Sequence, residues 1–143
     1  MSDHTLVGVL GGKLTTYRRM AQDAVDAAVA AGGLSAGRCI TATTPLVGAA
    51  GVAQPPELPA SLISRFGSEA AKVITQAQVE RPGDRIADGI DVTRAEVEFA
   101  VTHEGALTAD DVLHRRTRIG LVDTDADRAR SAVTEIVEQV RSQ

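Results

Sequence analysis

The first third of the chain has a hydrophobic pattern of its own. The apolar run at residues 5–10, TLVGVL, ends at the pair Gly11-Gly12. Its length and β-branched residues predict a buried strand that leads into a tight turn. From Tyr17 onward, apolar residues recur at three- and four-residue spacing, which predicts a helix capped by Thr15 or Thr16 and ended by Gly32-Gly33. Residues 1–33 therefore predict a strand, a glycine turn and a helix.

The middle of the chain has a different composition. Residues 34–58 are rich in Gly, Pro, Ala and Thr, and only residues 39–43, CITAT, have the pattern of a short strand. Such a composition is typical of a linker. We therefore predict a domain boundary in this segment.

The remainder, residues 59–143, has helical periodicity. Short helices are predicted over residues 59–66 and 68–78, separated by Gly67, and a longer one over residues 125–140. Thr93 and Glu96 form a capping box that predicts a helix to about Glu104. Thr108 and Asp111 repeat this device and predict a helix that continues to Gly120. The predicted fold class is mainly α, with five to six helices in this domain.

Composition narrows the range of partners. The chain has 143 residues and a net charge of -4, so nucleic acid is not an expected partner. Two Phe, one Tyr and no Trp argue against stacked bases. A single cysteine, Cys39, cannot form an internal disulfide and fits a reducing compartment. No apolar run approaches the roughly 18 residues of a membrane span, and no signal peptide pattern is present. We expect a soluble, cytoplasmic chain.

The clearest local motif is residues 11–18, GGKLTTYR, placed between the predicted strand and helix. Amides at a helix N-terminus and a lysine ammonium can together hold an anionic group. A phosphate-loop motif is excluded because Val7 and Leu14 occupy the positions that need Gly and Ser or Thr. The glycines do not match a dinucleotide fingerprint either. A turn without any ligand remains the alternative.

Two other groups of residues are candidates for a metal site or an anion-binding site. His103-Glu104 would need a second histidine at position 107 to form a metalloprotease motif, and this position is Leu107, so no metal site is predicted. The cluster Arg115, Arg116 and Arg118 could bind phosphate, a lipid head group or a partner protein. An ion-pair network with Asp111 and with the acidic residues at positions 123, 125 and 127 is the favoured interpretation.

Several blocks together resemble a known family. The motif at residues 11–18, followed by TRAEV at 93–97, HEGALT at 103–108 and DDVLHRRTRIGL at 110–121, resembles the C-terminal part of FAD-dependent glycerol-3-phosphate dehydrogenase, a relative of glycerol-3-phosphate oxidase. The blocks match in order and separation over essentially the whole chain. The resemblance implies that residues 1–33 are the tail of an FAD-binding α/β domain, 34–58 a linker and 59–143 a helical C-terminal domain.

The resemblance also implies an activity. Enzymes of this family oxidise sn-glycerol 3-phosphate to dihydroxyacetone phosphate by hydride transfer to FAD and pass the electrons to quinone, whereas the oxidases use oxygen. The full-length enzyme would be cytoplasmic and peripheral on the inner face of the membrane. Its partners would be the rest of the same polypeptide, glycerol 3-phosphate and quinone, with a homodimer as a further candidate.

By similarity, the cofactor-binding residues would be Gly11, Gly12, Leu14, Thr15 and Thr16, at the pyrimidine edge of the flavin. Lys13 would contact the substrate or the flavin and is the candidate catalytic residue. The glycine-rich fold that binds the ADP part of FAD is not part of this chain, so we expect the isolated chain to be inactive and not to bind FAD tightly.

A second hypothesis is a stand-alone helical interaction or dimerisation module that docks an acidic partner through its Arg115–Arg118 cluster. The role of this cluster stays open between closure of the fold, dimerisation and a partner surface.

Overall fold

A computed structural model describes residues 6–49, 51 and 55–142 of the chain. The chain forms two compact units, Met1–Leu46 and Val47–Gln143. The division falls inside the predicted linker, residues 34–58. Each unit is described by itself.

The first unit is built on one helix. A 3-10 turn, Leu14–Thr16, leads into helix α1, Tyr17–Ala31, in agreement with the sequence pattern. Gly33 has a φ of 59°, and the amide of Leu34 donates to the carbonyl of Val29 over 3.0 Å. The amide of Gly33 donates to the carbonyl of Ala30 over 3.3 Å, and the two bonds together form a Schellman motif. The predicted glycine stop is therefore confirmed.

The two strands predicted for the first half of the chain are not formed. Residues 6–10 have no regular secondary structure, and Thr5 lies outside the described residues. A strand needs a neighbour to pair with, and the one bridge in the described part of the chain joins Arg85 to Thr93. In the second predicted strand, residues 39–43, the carbonyl of Ile40 accepts hydrogen bonds from the amides of Thr43 and Thr44 over 3.0 and 3.1 Å. These bonds close a turn where a strand was expected.

The second unit is helical. Its elements, in chain order, are α2 (Ala60–Phe66), a 3-10 turn (Gly67–Glu69), α3 (Ala70–Thr75), α4 (Arg94–Thr102), the single turn α5 (Ala109–Asp111), a π-turn (Val112–Arg116), a 3-10 turn (Ile119–Leu121) and α6 (Asp123–Arg141). No helix in the described ranges is long and apolar enough to cross a membrane.

Helix α4 lies at the centre of this unit because it packs into two hydrophobic clusters. Val97 belongs to the larger cluster, with Leu113 and with Ile136 of α6, and all three side chains are fully buried. Ala95 belongs to the smaller one, with Leu62 of α2 and Val73 of α3. Removing such aliphatic surface from water is the main stabilising contribution to a fold with so few aromatic residues.

Both predicted capping boxes are present. The hydroxyl of Thr93 accepts the amide of Glu96 over 3.3 Å, and the carboxylate of Glu96 accepts the amide of Thr93 over 2.7 Å. At the start of α5, Thr108 and Asp111 exchange the same bonds over 3.1 and 3.0 Å. These local devices fix where both helices begin.

The helix predicted from Thr108 to Gly120 is broken in the structure. After one α-turn the chain widens into the π-turn, and Thr117 is extended, with a φ of -121° and a ψ of 176°. The amide and the hydroxyl of Thr117 both donate to the carbonyl of Val112, over 2.9 and 2.8 Å. This five-residue closure replaces the α-helical hydrogen bond and ends the helix early.

Candidate functional site

The glycine turn before α1 needs its two glycines. Gly11 and Gly12 have φ angles of 72° and 126°, a region that favours glycine over residues with a side chain. A Cβ atom on Gly12 would also overlap Sδ of Met20. Glycine therefore suits both positions through its backbone conformation, and at Gly12 the missing side chain also leaves room for Met20.

A cavity of about 420 Å³ opens beside this turn. The sequence-predicted residues Gly11, Gly12, Lys13 and Leu14 line it, together with apolar side chains of α1 and of the preceding segment. Lys13 is exposed, and Leu14 is 88% exposed. Thr15 and Thr16 follow in the 3-10 turn and are not part of this lining. The structure thus brings four of the six predicted residues to one cavity.

The start of α1 offers backbone donors. The amide and the hydroxyl of Thr16 both donate to the carbonyl of Lys13, over 2.9 and 3.1 Å. Thr16 lies at the N-cap position of α1, but its hydroxyl donates to the preceding Lys13 carbonyl and accepts no amide of the helix. The predicted side-chain cap is therefore not formed. The amides from Gly12 to Thr15 precede the first helical hydrogen bond, so they resemble the free donors of other helix N-termini. Such amides suit an electronegative or anionic group.

Arg18 in the same motif has a role that the sequence did not indicate. Its guanidinium group donates to the carbonyls of Thr41 and Thr44, the latter over 2.5 Å, and to the Thr41 hydroxyl over 3.2 Å. Arg18 therefore joins the turn at residues 41–44 to α1. Periodicity cannot reveal this contact, because the partners are more than twenty residues apart and their acceptors are mainly backbone carbonyls.

The arginine cluster in the second unit is only partly an ion-pair network. Arg115 pairs with Asp111, as predicted. Asp125, however, pairs with Arg128 over 2.5 Å. Arg116 donates through Nε to the backbone carbonyl of Glu104 over 2.8 Å. The side chain of Arg118 has no hydrogen-bond or ion-pair partner in the described part of the chain. The predicted network is thus wrong for Arg116 and Arg118, since Arg116 binds a backbone carbonyl and Asp125 pairs with Arg128 of its own helix.

Three carboxyl groups near this cluster have shifted pKa values, and the pKa of Asp110 is lowered mainly by its hydrogen bond with Arg130. Hydrogen bonds from the Leu107 amide and from Thr108, together with Arg115, lower the pKa of Asp111 from 3.8 to about 2. Partial desolvation raises the pKa of Glu104, and the attraction of Arg116 offsets only part of that effect. The ring of His103 is stacked on Phe99, with centroids 4.4 Å apart.

Sequence comparison identifies the family. A family model described as the C-terminal domain of alpha-glycerophosphate oxidase matches residues 39–143. The chain belongs to this family. The chain is also 49% identical to glycerol-3-phosphate dehydrogenase 1 of Mycobacterium tuberculosis, in a match that covers 94% of this chain and 27% of that protein. It is 36% identical to a mitochondrial glycerol-3-phosphate dehydrogenase of Arabidopsis thaliana, over 96% of this chain and 26% of that protein.

This member of the alpha-glycerophosphate oxidase C-terminal family spans about a quarter of the length of these curated relatives. The match leaves out about 6% of the chain, which is fewer residues than the ten that precede Gly11, so it includes the glycine turn. The family model itself covers the segment after Arg38. No solved structure matches the chain significantly.

Proposed function

We propose that this chain is the C-terminal portion of a flavoenzyme that oxidises sn-glycerol 3-phosphate to dihydroxyacetone phosphate, with quinone as the electron acceptor. The observation that carries the proposal is the similarity of nearly the whole chain to glycerol-3-phosphate dehydrogenases. In the proposed enzyme residues 1–33 complete the FAD-binding domain, residues 34–58 are a linker and residues 59–143 are the helical C-terminal domain. FAD would supply the hydride acceptor for C2 of the substrate, held by the residues of the glycine turn.

The residues of the glycine turn fit the flavin. Gly11 and Gly12 keep the backbone free of side chains at the cavity. Thr16 closes the turn, because its amide donates to the Lys13 carbonyl. The amides of Leu14 and Thr15 lie just before it at the start of α1, where N–H groups and the helix dipole favour negative charge. They would hold the pyrimidine edge, which gains negative charge when the flavin is reduced. Lys13 would place a cation beside the flavin or the substrate phosphate.

Exposed apolar side chains support the role of the first unit as part of a larger domain. Leu6, Leu10 and Leu14 are 92%, 97% and 88% exposed. In the proposed enzyme, the rest of the same polypeptide covers these side chains. Burial of each such leucine would contribute about 1.5–3 kcal/mol. Because the rest of the polypeptide is needed to cover this unit, we expect the isolated chain neither to bind FAD tightly nor to turn over substrate.

A chimera tests the proposal. The C-terminal quarter of the Mycobacterium tuberculosis glycerol-3-phosphate dehydrogenase 1 is replaced by this chain, and the same enzyme without any C-terminal quarter is the control. We expect the chimera to carry flavin, visible in its absorption spectrum, and to reduce a soluble quinone analogue when glycerol 3-phosphate is added. The truncated control should do neither.

A folded chimera that lacks flavin or does not oxidise glycerol 3-phosphate would refute the proposal. If the chimera reduces oxygen faster than the quinone analogue, the assignment of quinone as acceptor is wrong. Sedimentation of the active chimera with inner-membrane vesicles tests the peripheral location on the inner face of the membrane, and size-exclusion chromatography with light scattering tests whether it forms a homodimer.

A further inference from the structure

A second cavity, of about 770 Å³, lies in the helical unit. We call it the arginine cleft. It is lined by Ser64 and Arg65 of α2, by Asp91 in the turn before α4, and by Arg116 and Arg118, which flank the end of the π-turn. Every lining residue belongs to the second unit, so the glycine turn and its function have no part in it.

The carboxylates of the arginine cleft already have partners. Asp91 accepts the hydroxyl of Ser61 over 2.9 Å and lies 3.7 Å from the guanidinium of Arg85. Asp125, also in the lining, is paired with Arg128. On the basic side, Arg65 is paired with Glu96 over 2.6 Å. Each of these charged groups is neutralised by its own partner. Two other lining arginines make no ion pair with the carboxylates that the structure describes.

Those two arginines are Arg116 and Arg118. Arg116 uses Nε on the Glu104 carbonyl, so its terminal nitrogens remain for a ligand. Across the residues that the structure describes, no carboxylate lies within ion-pair distance of either guanidinium. Both face the cleft, whereas Arg115, paired with Asp111, is absent from its lining. Arg115 and Arg116 both belong to the π-turn, and such turns often occur at functional sites.

We propose that the arginine cleft binds a phosphate group between the guanidinium groups of Arg116 and Arg118, with the hydroxyl of Ser64 as a further donor. Guanidinium forks match the geometry of phosphate oxygens and form charge-assisted hydrogen bonds with them. The net charge of the chain is -4, so no general attraction of anions is expected. Phosphate binding would therefore report this local site. The phosphate can belong to a soluble phosphomonoester or to a lipid head group.

Titration of the full 143-residue chain with inorganic phosphate, followed by ¹H–¹⁵N NMR, tests the proposal at constant ionic strength. We expect saturable shifts of the amides from Arg116 to Ile119 and of Ser64. Arg118→Gln should weaken binding roughly tenfold or more, as loss of a charged hydrogen-bond donor does. Arg115→Gln removes the same charge three residues away, outside the cleft, and should leave the affinity within a factor of about two.

The test does not depend on one variant. The side chain of Arg118 has no partner within the described ranges, so Arg118→Gln should fold, which the dispersion of the same NMR spectra checks. Arg116→Gln provides a second variant and should also weaken binding. Absence of saturable shifts at the cleft, or equal loss of binding in Arg115→Gln and Arg118→Gln, would overturn the proposal. Binding of an aspartate-rich peptide in preference to phosphate would also overturn it.

Vesicles identify the source of the phosphate group. Arg118-dependent sedimentation with phosphatidylglycerol vesicles, and not with phosphatidylcholine vesicles, would indicate a lipid head group. Arg118-dependent binding of inorganic phosphate and glycerol phosphates without sedimentation would indicate a soluble ligand. Either result supports the cleft as a phosphate site.

Discussion

Arg65 on α2 donates to the carboxylate of Glu96 on α4 over 2.6 Å, and the Glu96 side chain is only 4% exposed. The same carboxylate closes the capping box with the Thr93 amide over 2.7 Å. One buried group therefore fixes the start of α4 and holds α2 against it. This relationship joins a local helix signal to the tertiary packing of the unit.

Replacement of Arg65 should destabilise the helical unit. Arg65→Gln leaves a buried carboxylate without its cation, so we expect the free energy of unfolding in urea to fall by about 1–3 kcal/mol. Lys72→Gln removes the exposed pair with Glu69 and should cost less than about 1 kcal/mol. Equal effects of the two substitutions would show that the Arg65–Glu96 pair contributes no more than a surface pair.

Glu98 should be a second buried anchor. It is 7% exposed, and its carboxylate accepts the amides of Gln78 and Val79 over 2.9–3.0 Å. Glu98→Ala leaves both amides without acceptors and should lower the free energy of unfolding by about 2–4 kcal/mol. Glu98→Gln keeps one acceptor oxygen and should be intermediate. Glu135→Ala on the exposed side of α6 should change stability by no more than about 0.5 kcal/mol.

Acid should remove the contribution of Asp111 in a defined range of pH. Its pKa is lowered from 3.8 to about 2 in the folded state, so the ionised form stabilises the fold above pH 3.8. This contribution is lost as the pH falls through about 2. We expect the stability difference between the wild-type chain and Asp111→Asn to be constant near neutrality and to shrink toward pH 2. Chemical denaturation at several pH values measures it, with the exposed Asp127→Asn as a control for lost charge.

Gly67 should tolerate no side chain. It ends α2 with a φ of 54°, and a Cβ atom there would overlap the carbonyl oxygen of Gly48. The left-handed region alone costs about 1–2 kcal/mol, so we expect Gly67→Ala to destabilise by more than about 2 kcal/mol. Gly83 has open space around its Cβ position, and Gly83→Ala should be neutral or stabilising by up to about 1 kcal/mol. Thermal unfolding of both variants compares them, and similar midpoints would contradict the predicted overlap.

Lys13 should matter for turnover rather than folding. In the chimera with the Mycobacterium tuberculosis enzyme, we expect Lys13→Ala to lower kcat by about 100-fold or more, because a cation placed at developing charge acts mainly in the transition state. The exposed side chain should leave the unfolding temperature unchanged. Lys72→Ala, at the other lysine of the chain, is the matched control and should keep normal kinetics. Normal kinetics in Lys13→Ala would remove this residue from the site.

The sequence by itself determined features that depend on neighbours along the chain. The spacing of apolar residues predicted α1 and α6, and the short-range pairs Thr93–Glu96 and Thr108–Asp111 predicted where α4 and α5 begin. These features depend only on residues close in the sequence, because a helix and its cap form within a few residues. The family resemblance rested likewise on short motifs read in order.

Only the tertiary structure decided the features that join distant segments. The contact of Arg18 with the turn at residues 41–44, the acceptor role of Glu98 and the close approach of Gly48 to Gly67 leave no periodic signal. The break at Thr117 is local, but periodicity does not predict it either, because its hydrogen bonds to Val112 compete with those of an α-helix. The apolar residues 6–10 have the pattern of a strand but form none. A strand requires a neighbouring strand to pair with, and the hydrophobic pattern of one segment does not show whether such a neighbour exists.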